Sequence, residues 1–158
     1  MFKHILLPTD GSAMSEFASQ RCIALAKEMG AKMSAIYVVP AFHVFAYSPE
    51  MVTETAEQYK QYGEATSNKF LGFVQRAAQE AGVACTTLSV INDHPYEAIV
   101  QAAKDGGCDL ICMASHGRKG VQGVLLGSET QKVLTHAGVP VLVFPAAQMA
   151  PAKPGASV

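Results

Sequence analysis

The chain has 158 residues, 49% hydrophobic and only 16% charged, with 12 Lys and Arg against 13 Asp and Glu for a formal net charge of -1. This length fits one compact domain, and the apolar fraction excludes disorder over most of it. Near-neutrality removes any general electrostatic case for nucleic acid or an anionic membrane, and no apolar run suits a bilayer span or a secretory leader, so the chain reads as cytoplasmic.

His4-Ile5-Leu6-Leu7 is an apolar run ending at Pro8, followed by the turn-forming Asp10-Gly11-Ser12. From Ser12, the residues Met14, Phe17, Ala18, Cys22, Leu25, Ala26 and Met29 recur at steps of three and four, one face of a helix that Gly30 stops. Met33 to Val39 is a second strand, apolar enough for cover on both faces. After a mixed loop, Ala41 to Pro49, a long helix outlined by Tyr59, Tyr62, Phe70, Phe73, Val74 and Ala77 closes at Gly82. A third strand at Ala84 to Val90 precedes Asn92-Asp93-His94-Pro95, which supplies capping side chains and a first-turn proline for a helix over Tyr96 to Lys104. Leu110 to Met113 is the fourth strand. The glycine-bearing loop Ala114 to Gly127 follows, then a short helix opened by Ser128-Glu129-Thr130-Gln131, which has the form of a capping box. Val139 to Phe144 is the fifth strand. The domain therefore spans residues 1–146, and the Ala- and Pro-rich remainder, 147–158, reads as a disordered tail.

Alternating strands and helices define an α/β fold, a single doubly wound parallel sheet with helices on both faces. Ligands of such sheets bind beyond the carboxyl ends of the strands, where the strand order reverses. Three loops are thereby selected: Pro8, Thr9, Asp10, Gly11 and Ser12; Val38 to Ala41; and Ala114 to Ser128. In the third, Gly117, Gly120, Gly123 and Gly127 let backbone approach an anion at a helix start, and Arg118 and Lys119 add positive charge. The same glycines also serve as loop punctuation, and adjacent surface cations are commonly just solvated. Asp10 taken alone favours a turn or cap role, with accepting hydrogen bonds from ribose hydroxyls as its second use.

Several machineries are missing from the sequence: the Gly-x4-Gly-Lys-Ser/Thr phosphate loop, Gly-x-Gly-x-x-Gly after the first strand, and the Gly-x-Ser-x-Gly elbow. Cys22, Cys85, Cys108 and Cys112 lack zinc spacing and read as small hydrophobes. No two of the five histidines share a helical face, so no zinc site is expected, and His116 reads as a loop residue rather than a general base.

Three blocks resemble the universal stress protein family across about Phe2 to Pro145: Ile5-Leu6-Leu7-Pro8-Thr9-Asp10-Gly11-Ser12; Met113-Ala114-Ser115-His116-Gly117, nine residues, Gly127-Ser128; and Val139-Pro140-Val141-Leu142-Val143. The second is similar to that family's Gly-x2-Gly-x9-Gly-Ser/Thr nucleotide motif, with Ala114 where the motif has its first glycine. The resemblance implies an adenine nucleotide alpha hydrolase-like sheet of order 3-2-1-4-5 and a homodimer through the fifth strands, Val139 to Phe144. It further implies ATP, or ADP or AMP, held in the stress-response context by Pro8, Thr9, Asp10 at the ribose, Val38 near the adenine, and Ala114, Gly117, Arg118, Gly127, Ser128 and Glu129 on the phosphate side. Glu129 suits the helix dipole but repels a triphosphate, a conflict that Mg2+ between the two would remove. The protein would then be a nucleotide-dependent regulator with an unknown protein partner. The alternatives are a member of the same family acting by protein contacts alone, a slow ATPase or phosphotransfer enzyme using Ser128 or Thr130, and a phospho-receiver, which the lack of a lysine in Phe144-Pro145-Ala146, directly after the last strand, disfavours.

Overall fold

The computed structural model describes residues 1–42, 49–116 and 126–149, with the backbone alone for 49–54, 147 and 148. The elements in chain order are β1 (His4–Pro8), α1 (Ala13–Met29), β2 (Lys32–Val39), α2 (Pro49–Glu80), β3 (Cys85–Ile91), α3 (Pro95–Asp105), β4 (Leu110–Ala114), α4 (Ser128–His136), β5 (Val141–Phe144) and a 3-10 turn over Ala146–Met149.

The five strands form one parallel sheet of order β3-β2-β1-β4-β5. Alternation along each strand builds two cores. Ile5, Leu7, Met33, Ala35, Leu110 and Cys112 face one way, against Cys22, Ile23 and Ala26 of α1 and Leu71, Val74 and Ala78 of α2. Leu6, Ile36, Ile111 and Met113 face the other way, against Ile99 and Ala103 of α3 and Val133 of α4. Burial on both sides explains why the central strands read as unbroken apolar runs.

The cysteines follow this packing. Cys22 and Cys112 are wholly buried in the first core and Cys108 is buried in the second. A hydrogen bond with Cys112, and then burial, push the Cys22 thiol far above its ordinary pKa, so it stays protonated.

At the amino ends of the strands, the Asp109 carboxylate accepts the backbone N–H groups of Lys3 (2.8 Å) and His4 (3.0 Å), which hold it below its ordinary pKa. His4 Nε2 lies 2.8 Å from Ser34 Oγ, which lies 2.8 Å from Thr86 Oγ1, so a polar chain crosses β1, β2 and β3. Burial, and secondarily Lys32, lower the pKa of His4.

Two sequence expectations are corrected, the start of β5 and the cap of α3. β5 begins at Val141 rather than Val139. Pro140 has no N–H and contributes only its carbonyl, which accepts from Ile111 N–H at 3.0 Å, so the paired ladder starts one residue later. A 3-10 turn over Ala146–Met149 follows β5, tied to the sheet where Ala146 N–H donates to Ser115 Oγ at 3.2 Å. The expected side-chain cap of α3 is replaced by a more distant one: its N-cap, His94, makes no capping bond, and Glu129 Oε2 of α4 accepts the Tyr96 N–H at 2.9 Å.

Candidate functional site

β1 lies between β2 and β4, and the chain runs outward to β2 and β3 before crossing to β4 and β5. The strand order therefore reverses at β1, and the loops leaving β1 and β4 flank the reversal. Pro8 ends β1 opposite Ile36, and the Thr9 N–H donates to the Ile36 carbonyl at 2.9 Å, which seats the first loop beside the end of β2 where Val38 lies half-buried.

The β1 loop is closed upon itself. Asp10 Oδ1 accepts the Ser12 N–H at 2.9 Å, forming the turn, while Ser12 Oγ accepts the Ser15 N–H at 3.2 Å and is the cap of α1. The buried Thr9 hydroxyl donates to Ser15 Oγ (3.2 Å), Ser15 Oγ donates to the Ser12 carbonyl (3.0 Å), and Gly11 N–H reaches Thr9 Oγ1 (3.3 Å). Asp10 thus has the turn role that the sequence left open beside the ribose role. Gly11 has φ of +73°, and a Cβ there would overlap the Phe70 ring of α2, so only glycine lets that ring cover the loop.

The β4 side is built differently. Ser115 N–H continues the ladder to the Phe144 carbonyl at 2.9 Å, and Gly127 N–H returns to the Ser115 carbonyl at 2.7 Å, bringing the start of α4 against the end of β4. A Cβ on Gly127 would meet Ser115 O at 3.2 Å, so a larger residue would force these segments apart. The buried Thr130 hydroxyl sits 3.1 Å from Ala114 O and 3.2 Å from Ser115 O, a second clamp on the same junction. Its proton is shared between those two carbonyls. Ala114 is buried and no described non-glycine residue has positive φ, so the methyl at this motif position is accommodated without backbone strain.

The capping box is not formed. Gly127 is the N-cap, Ser128 is already helical and exposed, and no side chain caps α4. The first intrahelical bond runs from Gln131 N–H to Gly127 O at 3.0 Å, so the first-turn N–H groups of Ser128, Glu129 and Thr130 are left without intrahelical acceptors. Glu129 is turned to structural work, with one carboxylate oxygen on Tyr96 N–H and the other 3.1 Å from Lys132 Nζ. Beside this helix start, His116 Nε2 is buried with no hydrogen-bond partner. A helix start without a cap and an orphaned ring nitrogen both suit a ligand rich in acceptor oxygens.

The structure thus brings together Pro8, Thr9, Asp10 and Val38 on one side of the reversal and Ala114, Gly127, Ser128 and Glu129 on the other. Gly117 and Arg118 lie outside the described residues. Ser15, Phe70, Ser115 and Thr130 were missed as supports of the site. The Ser-x-x-Ser spacing at Ser12 and Ser15 was available as a signal, whereas nothing local marks Phe70. Among the described residues no cluster of His, Cys, Asp or Glu could hold a metal ion, and no helix is long and apolar enough to cross a membrane. Two surface hollows of about 380 and 290 Å3 lie at the opposite end of the sheet around Gly82, Val83 and Ala84, and include none of these residues.

The fold defines a doubly wound parallel α/β protein of the adenine nucleotide alpha hydrolase-like type, with the strand order reversing at β1. The chain belongs to the universal stress protein family, whose model matches residues 1–145. It is 35% identical over 144 residues to universal stress protein MJ0531 of Methanocaldococcus jannaschii, covering 90% of this chain and 82% of that one. It is 32% identical over 151 residues to universal stress protein YxiE of Bacillus subtilis, covering 90% and 99%. Among solved structures, MJ0577 of M. jannaschii superposes with a TM-score of 0.77 at 28% identity, covering 90% of this chain and 95% of that one. A family protein of Arabidopsis thaliana with AMP bound shares the fold, with a TM-score of 0.65 at 19% identity over 96% of this chain and 97% of that one.

Proposed function

We propose that this protein binds an adenine nucleotide at the β1/β4 reversal and acts as a stress-response regulator whose occupancy biases its contacts with a protein partner. The observation that carries this reading is the uncapped start of α4 beside the end of β4, with Gly127 pressed against Ser115. The phosphates would lie on the N–H groups of Ser128 and Glu129, the ribose near Asp10 and the adenine near Val38. Structures of the same fold carrying AMP, cAMP and dAMP support an adenine ligand. With the Glu129 carboxylate occupied by Tyr96 N–H and Lys132, any Mg2+ would arrive on the phosphates rather than on a protein cage.

The proposal includes a homodimer through β5. This strand ends the sheet, and Leu142 is 38% exposed on it, an apolar edge that pairing with a second copy would cover. Light scattering at micromolar concentration should give twice the chain mass; a monomeric mass rejects the dimer.

Calorimetry on protein stripped of co-purified nucleotide tests the binding claim. Saturable binding of ATP, ADP or AMP below millimolar concentration is the expected result, whereas no heat with any of them, with or without Mg2+, rejects it.

A further inference from the structure

β3 ends the sheet on the side opposite β5, and among the described residues no strand lies beyond it. Such an edge presents a row of unpaired backbone groups, which proteins ordinarily blunt with charge, proline, a bulge or a very short strand. β3 has none of these. Cys85-Thr86-Thr87-Leu88-Ser89-Val90-Ile91 carries no charge, proline or glycine, and it pairs residue for residue with β2 from Met33 to Val39. Leu88 is 43% exposed on it and Ile91 68%. Side chains of α2 that border the strand are uncharged too: Ser67, whose Oγ lies 2.8 Å from Ser89 Oγ, and Gln75 and Gln79, which line the hollow beside Cys85.

The direction of the free backbone groups follows from the ladder. Just before β3, the Ala84 carbonyl accepts the Met33 N–H at 2.8 Å, and just after it the Asn92 N–H donates to the Val39 carbonyl at 2.9 Å. Backbone groups of alternate residues point to opposite sides of a strand, so Thr86, Leu88 and Val90 turn theirs to β2, while Cys85, Thr87, Ser89 and Ile91 turn theirs outward. A second copy of the strand, set antiparallel by a two-fold axis at Leu88, meets this outward set with its own. Thr87 then exchanges N–H···O bonds with the copy's Ser89, and Cys85 with the copy's Ile91. Leu88 faces Leu88, and Thr86 faces Val90, at the closer positions between those bonds. Leu88 is the midpoint of β3, so this register pairs the whole strand, and no like charges stand opposite one another.

We propose that the β3 edge is a self-pairing surface, through which two copies of this chain join antiparallel about Leu88 and continue one sheet into the other. The occupant is a second copy because the strand is its own complement in backbone direction, side-chain polarity and charge. A strand of seven residues supplies only part of the roughly 1,000 Å2 that a stable interface buries, so the pairing is weak and grows with concentration. It is independent of the nucleotide reading and separate from the β5 dimer. A copy joined at both edges enters an open row rather than a closed pair.

Two experiments on the full chain test it. In a Cys85→Ser background, which removes the half-buried native thiol of the strand, Leu88→Cys should close an intermolecular disulfide under mild oxidation at near-millimolar concentration. The register brings the two Cα atoms to about 4.5 Å, within disulfide reach. Thr86→Cys, on the same face but opposite Val90, should cross-link severalfold less; equal cross-linking, or none, overturns the proposal. Sedimentation from micromolar to near-millimolar concentration should show the wild-type mass rising beyond the dimer and Leu88→Lys holding at the dimer. A wild-type mass that stays constant, or a rise that Leu88→Lys leaves intact, overturns the proposal. A rise only from monomer to dimer, abolished by Leu88→Lys and kept by Leu142→Lys, supports pairing at β3 and rejects the β5 dimer.

Discussion

The starts of α1 and α4 occupy equivalent places on either side of the strand reversal, yet one is closed and the other open. At α1, Ser12 caps the first turn, Asp10 makes the preceding turn, and Thr9 and Ser15 spend their hydroxyls on each other and on the backbone. At α4, a glycine stands at the cap position, no side chain caps the turn, and a ring nitrogen nearby is unsatisfied. Helix starts that form anion sites must withhold the caps that ordinary helices use. The closed side supplies rigidity and the open side supplies donors, so substitutions on the two sides should separate stability from binding.

The largest expected effect is on the closed side. Gly11→Ala forces a side chain to positive φ and drives a methyl into Phe70, and should cost about 3 kcal/mol in urea denaturation; a cost under about 1 kcal/mol would mean that the loop shifts freely. Next, Thr130→Val removes the donor to Ala114 O and Ser115 O. It should cost about 2 kcal/mol and weaken AMP as well, since the clamp positions the open side. Ser12→Ala should cost about 1 kcal/mol with AMP affinity unchanged, and a parallel loss of affinity would break the division of labour. Glu129→Gln should change stability by less than about 1 kcal/mol and tighten ATP more than AMP, because it removes a negative charge near the phosphates.

The smallest effect lies away from both helix starts. His4 has its pKa lowered from 6.5 by burial and Lys32, so the fold favours its neutral form. Its contribution is present above the ordinary histidine value and is lost as pH falls below about 6.5 toward the folded value. Asp109, lowered from 3.8 by the N–H groups of His4 and Lys3, acts in a separate window at still lower pH. Denaturation midpoints should decline below about pH 6.5, and His4→Gln should flatten that part of the curve; an unchanged slope would contradict the assignment.

The sheet was legible because strands buried on both faces leave uninterrupted apolar runs such as Ile5 to Leu7 and Ile36 to Val39. The helices were legible from steps of three and four. The positions of the loops that flank the strand reversal followed from topology. The failures have local physical causes. Ser-x-x-Gln spacing cannot say whether the serine or the preceding glycine takes the non-helical cap conformation; Gly127 does, with ψ of 155°, because its N–H is drawn to Ser115 O. The real cap of α3 comes from Glu129 on another helix, and the ring over Gly11 comes from the middle of α2. No window along the chain holds both partners of either contact.

The account's central claim is that the open start of α4 receives phosphate while the closed start of α1 does not. Backbone amide shifts of 15N-labelled stripped protein test it directly. Titration with AMP should move the amides of Gly127, Ser128 and Glu129 strongly, leave Ser15 and Glu16 nearly still, and move the α4 amides much less when adenosine replaces AMP. Equal α4 shifts with both ligands, or the largest AMP-dependent shifts in the first turn of α1, would contradict it.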